Sequence, residues 1–353
     1  MTTTEKINYN RLAEIAECIV RSEVEKHDSI IAAFSTGSFS RGDMDYGSDV
    51  DIAFIATGYP ASNKVPPEVT RIISDDILFE WAYSFKENIN PKKIIVNHPY
   101  PNDLASAKIW YDPENLIANL QTELKKEEEQ KDYTKVRATN QLKIVENNFE
   151  QYKKNLSGNK TDQLLTNIFM IVMSSFSIPS VILNRPVTHL RSYLFCSNNA
   201  KELGFYRFPD LVNKIIYEGE ITTEKINYWY NVLKKGFDSS GLPEFSIETY
   251  KIHLRTVDYA LKKKEQKAAL WPIYFWMVGA INEVKRDELT DIAKNLDEAF
   301  TPIREELKLI DINDFKSRIN TIEEVITLSK EMIGGANFKN LSRMKTPIFF
   351  SGF

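Results

Sequence analysis

The chain carries only two cysteines and four histidines in 353 residues. So few cysteines exclude a disulfide-stapled scaffold. Cys18 and Cys196 both sit among apolar neighbours, which predicts reduced core residues and suits a cytoplasm. His27, His98, His189 and His253 are scattered without metal-ligand spacing, so no histidine metal centre is expected. No Gly-x-Ser-x-Gly elbow, Walker loop or Cys-x-x-Cys pair occurs. Excess positive charge is missing too. With 45 Lys and Arg against 49 Asp and Glu, the net charge is -4, and no global basic field exists to attract nucleic acid. The longest apolar runs, 168–183 and 268–281, fall short of the ~20 residues of a membrane span and contain Ser or Pro, so buried helices are expected and no membrane segment. The N-terminus lacks the basic-then-apolar pattern of a signal peptide. Tandem repeats and low-complexity segments are absent as well. What is present is an ordinary globular balance, 42% hydrophobic and 27% charged, on a length that accommodates two domains.

With histidine, cysteine and serine motifs set aside, the chemistry rests on carboxylates, and one stretch concentrates them. Residues 37–51 read G-S-F-S-R-G-D-M-D-Y-G-S-D-V-D, between apolar runs 30–34 and 50–55. Both runs are predicted strands. Alternation along the second puts Asp49 and Asp51 on one face, with Ala53 and Ile55 behind them. Carboxylates about 7 Å apart along one strand repel unless a cation lies between them. Such oxygen ligands suit Mg²⁺, which also holds substrate phosphates. The Gly37-Ser38 turn offers backbone N–H groups of the kind that bind phosphate.

This stretch resembles the nucleotidyltransferase superfamily typified by DNA polymerase β, whose signature is Gly-Ser, a ten-residue gap and Asp-x-Asp. Here ten residues, 39–48, separate Ser38 from Asp49-Val50-Asp51. Arg41-Gly42 and Gly47-Ser48 look like the antibiotic-modifying branch, as does 107–113 with its apolar-Tyr-Asp-Pro close. The resemblance implies a third acid on the strand beside the Asp-x-Asp strand. A predicted strand over 76–85 carries Glu80 between Leu78 and Ala82, opposite a face of Ile77, Phe79, Trp81, Tyr83 and Phe85. An acid in that setting is costly unless a charge meets it. Asp75 and Asp76 stand at the strand start, where acids commonly close a turn.

The rest of the chain divides by pattern. A first helix over 9–26 is expected to cover the sheet with Leu12, Ile15, Ala16, Ile19 and Val24. A loop over 57–67 and a short helix over 68–74 precede the Glu80 strand. Residues 91–96 read as an edge strand, and 104–111 as a closing helix or strand. Asp112-Pro113 is a natural helix start and marks the expected domain boundary. Beyond it nearly everything reads as helix: a long charged segment over 121–155, whose charge run 125–131 reads as a solvated face, an all-round apolar one over 162–178, and further helices to residue 333. The tail after Gly334-Gly335 reads as an extended or partly ordered arm. The expected class is α+β, a small mixed-sheet catalytic domain over 1–113 followed by an all-helical bundle over 114–353 that helps hold substrate.

What the resemblance implies is Mg²⁺-dependent transfer of a nucleoside monophosphate, from ATP or another nucleoside triphosphate, onto a hydroxyl. Asp49, Asp51 and Glu80 are the expected catalytic residues and ligands of two Mg²⁺ ions about 3.5–4 Å apart. Gly37, Ser38, Arg41 and Ser48 are the expected nucleotide contacts, although Arg41 could instead pair with Asp43 or Asp45. The expected acceptor is a small molecule such as an aminoglycoside-like or lincosamide-like antibiotic, held between the domains. A polycationic acceptor would require further acids on the helical wall. The alternatives are transfer to a protein or tRNA, which the charge balance disfavours, and a non-catalytic nucleotide-binding regulator.

Overall fold

Asn8 caps the first helix by accepting the Arg11 N–H at 3.2 Å, and α1 then runs Tyr9–Lys26. Its buried face is Leu12, Ala16, Ile19, Val20 and Glu23. Cys18 falls off that face and is exposed, contrary to the core position expected for it, whereas Cys196 is buried. The computed structural model describes residues 7–44, 47–58, 70–130 and 133–336, and the side chains of 127–130 are left aside. Asp45, most of the expected 57–67 loop and the tail beyond 336 lie outside the described residues.

After α1 come β1 (Ile30–Ser35), the one-turn helix α2 (Gly37–Arg41), β2 (Val50–Ala56), β3 (Thr70–Ser74) and β4 (Ile77–Phe85). Then follow α3 (Pro91–Asn97), α4 (Pro101–Ala105), β5 (Lys108–Tyr111) and α5 (Leu116–Gln130). The strands form one sheet in the order β3-β4-β2-β1-β5, with β2 and β4 parallel and the other neighbours antiparallel. The fold is thus α+β with a mixed sheet.

Two of the expected elements change type. The described part of the helix expected over 68–74 is strand β3, rich in β-branched residues and hairpinned to β4 through Asp75 and Asp76, both with positive φ (51° and 60°). Such a turn matches the twist of two paired strands. The expected edge strand over 91–96 is helix α3, because Asn90 accepts the Lys93 N–H at 3.0 Å and Pro91 occupies the first turn.

Each sheet face has its own apolar core. On one, α1 packs over Ile30, Ala33, Val50, Ile52, Phe54, Phe79 and Trp81. On the other, Ile95 of α3, Ala105 of α4 and Ile117, Leu120 and Leu124 of α5 cover Ala32, Phe34 and Ile55. Helix α5 follows the expected boundary in sequence but packs on the sheet. It starts three residues later than expected. Asp112 nevertheless caps it, Oδ2 accepting the N–H groups of Ile117 (3.0 Å) and Ala118 (2.9 Å).

The remaining helices are α6 (Thr134–Ser157), α7 (Thr161–Ile182), α8 (Ser192–Glu202), α9 (Phe208–Ile216), α10 (Thr223–Ser239), α11 (Glu244–Lys262), α12 (Gln266–Arg286), α13 (Thr290–Glu306), α14 (Ile312–Ser317) and α15 (Ile319–Gly335). The single helix expected over 121–155 is therefore two, α5 and α6. Of the charge run, Lys125 and Lys126 are exposed. Helix α7 is longer than its apolar run implied, 22 residues, and by length and composition could cross a membrane. However, 78% of its most apolar window is buried inside the molecule, with Ile168, Ile171, Val172 and Phe176 fully enclosed, so packing against other helices accounts for its apolarity. Arg318, 2% exposed, closes the far end of this core by donating to the carbonyls of Ile215 (2.8 Å) and Leu307 (2.7 Å), which end α9 and α13.

Replacing Asp112 with Ala removes the acceptor for two amides at the α5 start. The expected loss is about 1–2 kcal/mol, read as a lower urea midpoint with unchanged slope, and Asp112→Asn should recover part of it. An unshifted midpoint in the alanine variant would show that the amides find water instead.

Candidate active site

Strand parity sets the site. Val50, Ile52 and Phe54 point into the α1-side core, so Asp51 points to the other face, together with Ala53 and Ile55. The parallel register pairs Asp51 with Glu80, and the β3–β4 register pairs Glu80 with Arg71. Asp51, Glu80 and Arg71 therefore form one row across three strands, each step the ~4.8 Å between neighbouring strands. Arg71 Nε binds Glu80 Oε1 at 2.5 Å, and its Nη1 binds Glu283 Oε1 of α12 at 3.0 Å. The Tyr250 hydroxyl of α11 donates to the other Glu283 oxygen at 3.2 Å. This meets the requirement that the mid-strand acid find a charge.

The turn after β1 closes against this row. Thr36 N–H donates to the Asp51 carbonyl at 3.3 Å. Gly37 has φ +70°, and a Cβ there would lie 2.8 Å from Asp51 Oδ2. Glycine is needed both for the left-handed backbone and for this approach. Ser38 is 6% exposed, and its carbonyl accepts the Asp43 N–H at 3.0 Å, which folds the polar loop back on α2. Arg41 is held by Asp103 of α4 (2.8 Å) and Asp43 (3.2 Å). Gly47 and the buried Ser48 lead into Asp49, and a Cβ on Gly47 would meet Thr256 Oγ1 of α11 at 2.4 Å.

Crowding by protein desolvates Asp51 and pushes its carboxyl well above the ordinary range. The like charges of Asp49 and Glu80 add to the rise, and Arg41 opposes it. Of the residues expected from sequence, Asp49, Glu80 and Arg41 thus act electrostatically on Asp51, which is turned toward Gly37, while Ser38 and Ser48 are buried next to Gly37 and Asp49 in the chain. Asp49 and Glu80 instead gather with a residue that spacing gave no reason to choose. A ligand-capable atom of His253, on α11, lies with theirs in a group spanning no more than 4.8 Å. His253 is 5% exposed, and burial lowers its imidazole to about 4, so it is neutral. Arg71, Asp103 and Glu283 were missed for the same reason as His253. Each comes from an element whose place beside β2 or β4 only the folded chain reveals. A depression of about 530 Å³ lined by Arg11, Cys18, Ile72 and Trp81 lies on the α1 face instead and does not reach the acids.

Gly37→Ala should destabilise the fold by about 1–2 kcal/mol through the left-handed backbone alone, with the Asp51 carboxylate displaced as well. Thermal unfolding reads the first effect and a crystal structure of the variant the second. An alanine tolerated without either would contradict the close approach.

No protein-family model and no curated protein matches the chain.

Proposed function

We propose that the protein is a nucleotidyltransferase, moving a nucleoside monophosphate from ATP or another nucleoside triphosphate to a hydroxyl of a small-molecule acceptor. The observation that carries this reading is the in-register pairing of Asp51 with Glu80 on parallel strands, beside Asp49 and behind a turn that only glycine fits. The oxygen donors suit a hard divalent cation, and Asp49, Asp51 and Glu80 would hold Mg²⁺. When bound, it supplies charge neutralisation for the triphosphate and lowers the pKa of the acceptor hydroxyl.

The chain's own residues do the remainder. The Gly37-Ser38 turn faces its N–H groups to the phosphates, and Arg41 reaches them by exchanging Asp43 for a phosphate oxygen. Arg71 occupies Glu80 Oε1, so the hydroxyl proton passes to Oε2. The acceptor oxygen forms a bond to the α-phosphorus, the bond from that phosphorus to the bridging oxygen breaks, and pyrophosphate leaves.

The acceptor lies between a catalytic part, residues 1–113, and a wall of helices from the part that follows. On that wall Arg191 donates to the Asp43 carbonyl (3.2 Å) and Arg255 to the Asp76 carbonyl (2.7 Å). Its acid at the site, Glu283, is already held by Arg71. With that acid already committed, the contacts at this wall among the described residues leave no spare carboxylate for the ammonium groups of a polycation. Among antibiotic-like acceptors, this favours an uncharged hydroxyl compound over an aminoglycoside. A cytoplasmic setting, which supplies nucleoside triphosphates and Mg²⁺, completes the reading.

The test uses nucleoside triphosphates radiolabelled at the α-phosphate, Mg²⁺, and a panel of aminoglycosides, lincosamides and uncharged or acidic polyols. Label should move to one acceptor class with release of pyrophosphate. Asp51→Asn should abolish transfer while leaving the fold intact. Glu80→Gln should slow it by roughly 10²–10⁴-fold with little change in nucleotide affinity. Transfer at near wild-type rate in Asp51→Asn would remove the assignment of the acids.

A further inference from the structure

The acids of this site are met by a nitrogen ligand that neither the strand pattern nor the proposed chemistry requires. We propose that Asp49, Glu80 and His253 form a mixed carboxylate–imidazole site that takes a divalent first-row transition ion of the Mn²⁺ type in preference to Mg²⁺. The inference rests on the carboxylate site read above and goes beyond it, adding a ligand from helix α11 and naming the class of metal.

Distance is the first support. Their ligand atoms lie within 4.8 Å of one another. Metal–ligand bonds of about 2.0–2.2 Å put two ligands of one ion ~3 Å apart when adjacent and at most ~4.4 Å when opposite, so the group closes on an ion with side-chain movements of about 1–2 Å. The second support is independent of the acids. His253 Nδ1 is buried with no hydrogen-bond partner. A buried polar atom left in this state is costly and rare. Among the described residues, no hydrogen bond or ion pair joins His253 to Asp49 or Glu80. The imidazole is thus not already spent on either carboxylate.

The ring is also held in place. It stacks on Trp276 of α12 with centroids 4.7 Å apart and planes 20° from parallel, and Trp276 is wedged edge-on by Tyr250 at 5.1 Å. Packing that fixes an imidazole in this way is what a metal ligand needs, because it removes the entropy of orienting it. The choice of metal follows from the ligands. Mg²⁺ takes oxygen ligands in a strict octahedron and keeps several waters, whereas an imidazole nitrogen suits first-row transition ions, and two carboxylates beside it suit Mn²⁺ among them. Arg71 is the competing cation at Glu80, so metal binding shares Glu80 with it or displaces it toward Glu283.

The experiment strips the full-length chain of metal and titrates it with Mn²⁺ alone, reading bound ion by EPR and its ligands by pulsed EPR. The expected result is one tightly bound Mn²⁺ whose spectrum carries nitrogen modulation, altered when the histidines are isotope-labelled. His253→Gln should remove the modulation and weaken Mn²⁺ by at least roughly 10-fold, with a much smaller change for Mg²⁺. Mn²⁺ bound without nitrogen modulation in the wild-type chain overturns the proposal whether or not the variant folds, and so does equal Mn²⁺ affinity in a folded His253→Gln. The readout is binding, not turnover. Nitrogen-coupled Mn²⁺ in a chain without transferase activity would support this site and remove the reading above, and Mg²⁺-driven transfer without nitrogen coupling would do the reverse.

Discussion

Three carboxylates brought to one end of one sheet face repel one another, and much of the surrounding structure is arranged around that repulsion. Asp51 and Glu80 have no freedom to separate, because the parallel register fixes them side by side. Asp49 joins them one turn of the pleat earlier. Two guanidiniums answer the charge from opposite sides. Arg71 bonds Glu80 directly, and Arg41, itself tied to Asp103 and Asp43, favours the ionised form of Asp51 from farther off. Burial first, and then the like charges of Asp49 and Glu80, still hold the Asp51 carboxyl well above its ordinary range despite Arg41. A site left short of positive charge is one to which a divalent cation, or a cation carrying phosphates, adds stability as it binds.

How far the sequence foretold this depends on the range over which each signal acts. Alternation in β2 and β4 is local, since burial of Val50, Ile52, Phe54, Phe79 and Trp81 on one face forces Asp51 and Glu80 to the other. That is why the parity of Glu80 could be read without knowing which strand would pair with which. The amphipathic face of α1 was equally plain, although Cys18 was misread because apolar neighbours in sequence are not neighbours in a helix. Strand β3 was hidden by its brevity, and its partner Arg71 with it. His253 was beyond reach in principle. Nothing in the pattern of α11 says that its buried face would include a ring nitrogen next to residues some two hundred positions earlier.

The helices past α5 do more than add a wall, and where they touch the sheet shows why. Several of their polar contacts fall on turns. Arg191 binds the carbonyl of Asp43 in the loop before Asp49, and Arg255 binds that of Asp76 in the β3–β4 turn. Thr256 leaves no room for a side chain at Gly47, and Glu283 holds the far side of Arg71. A sheet interior is already fixed by its ladder of hydrogen bonds, whereas turns are the parts free to drift. By holding the turns that lead into Asp49 and Glu80, α11 and Arg191 just before α8 set the positions of groups that strand pairing alone leaves loose. Loss of these contacts would leave the row of Asp51, Glu80 and Arg71 intact but release Asp49 and Gly47 from their seats. In this molecule the acids belong to the sheet by sequence, but their spacing belongs equally to the helices.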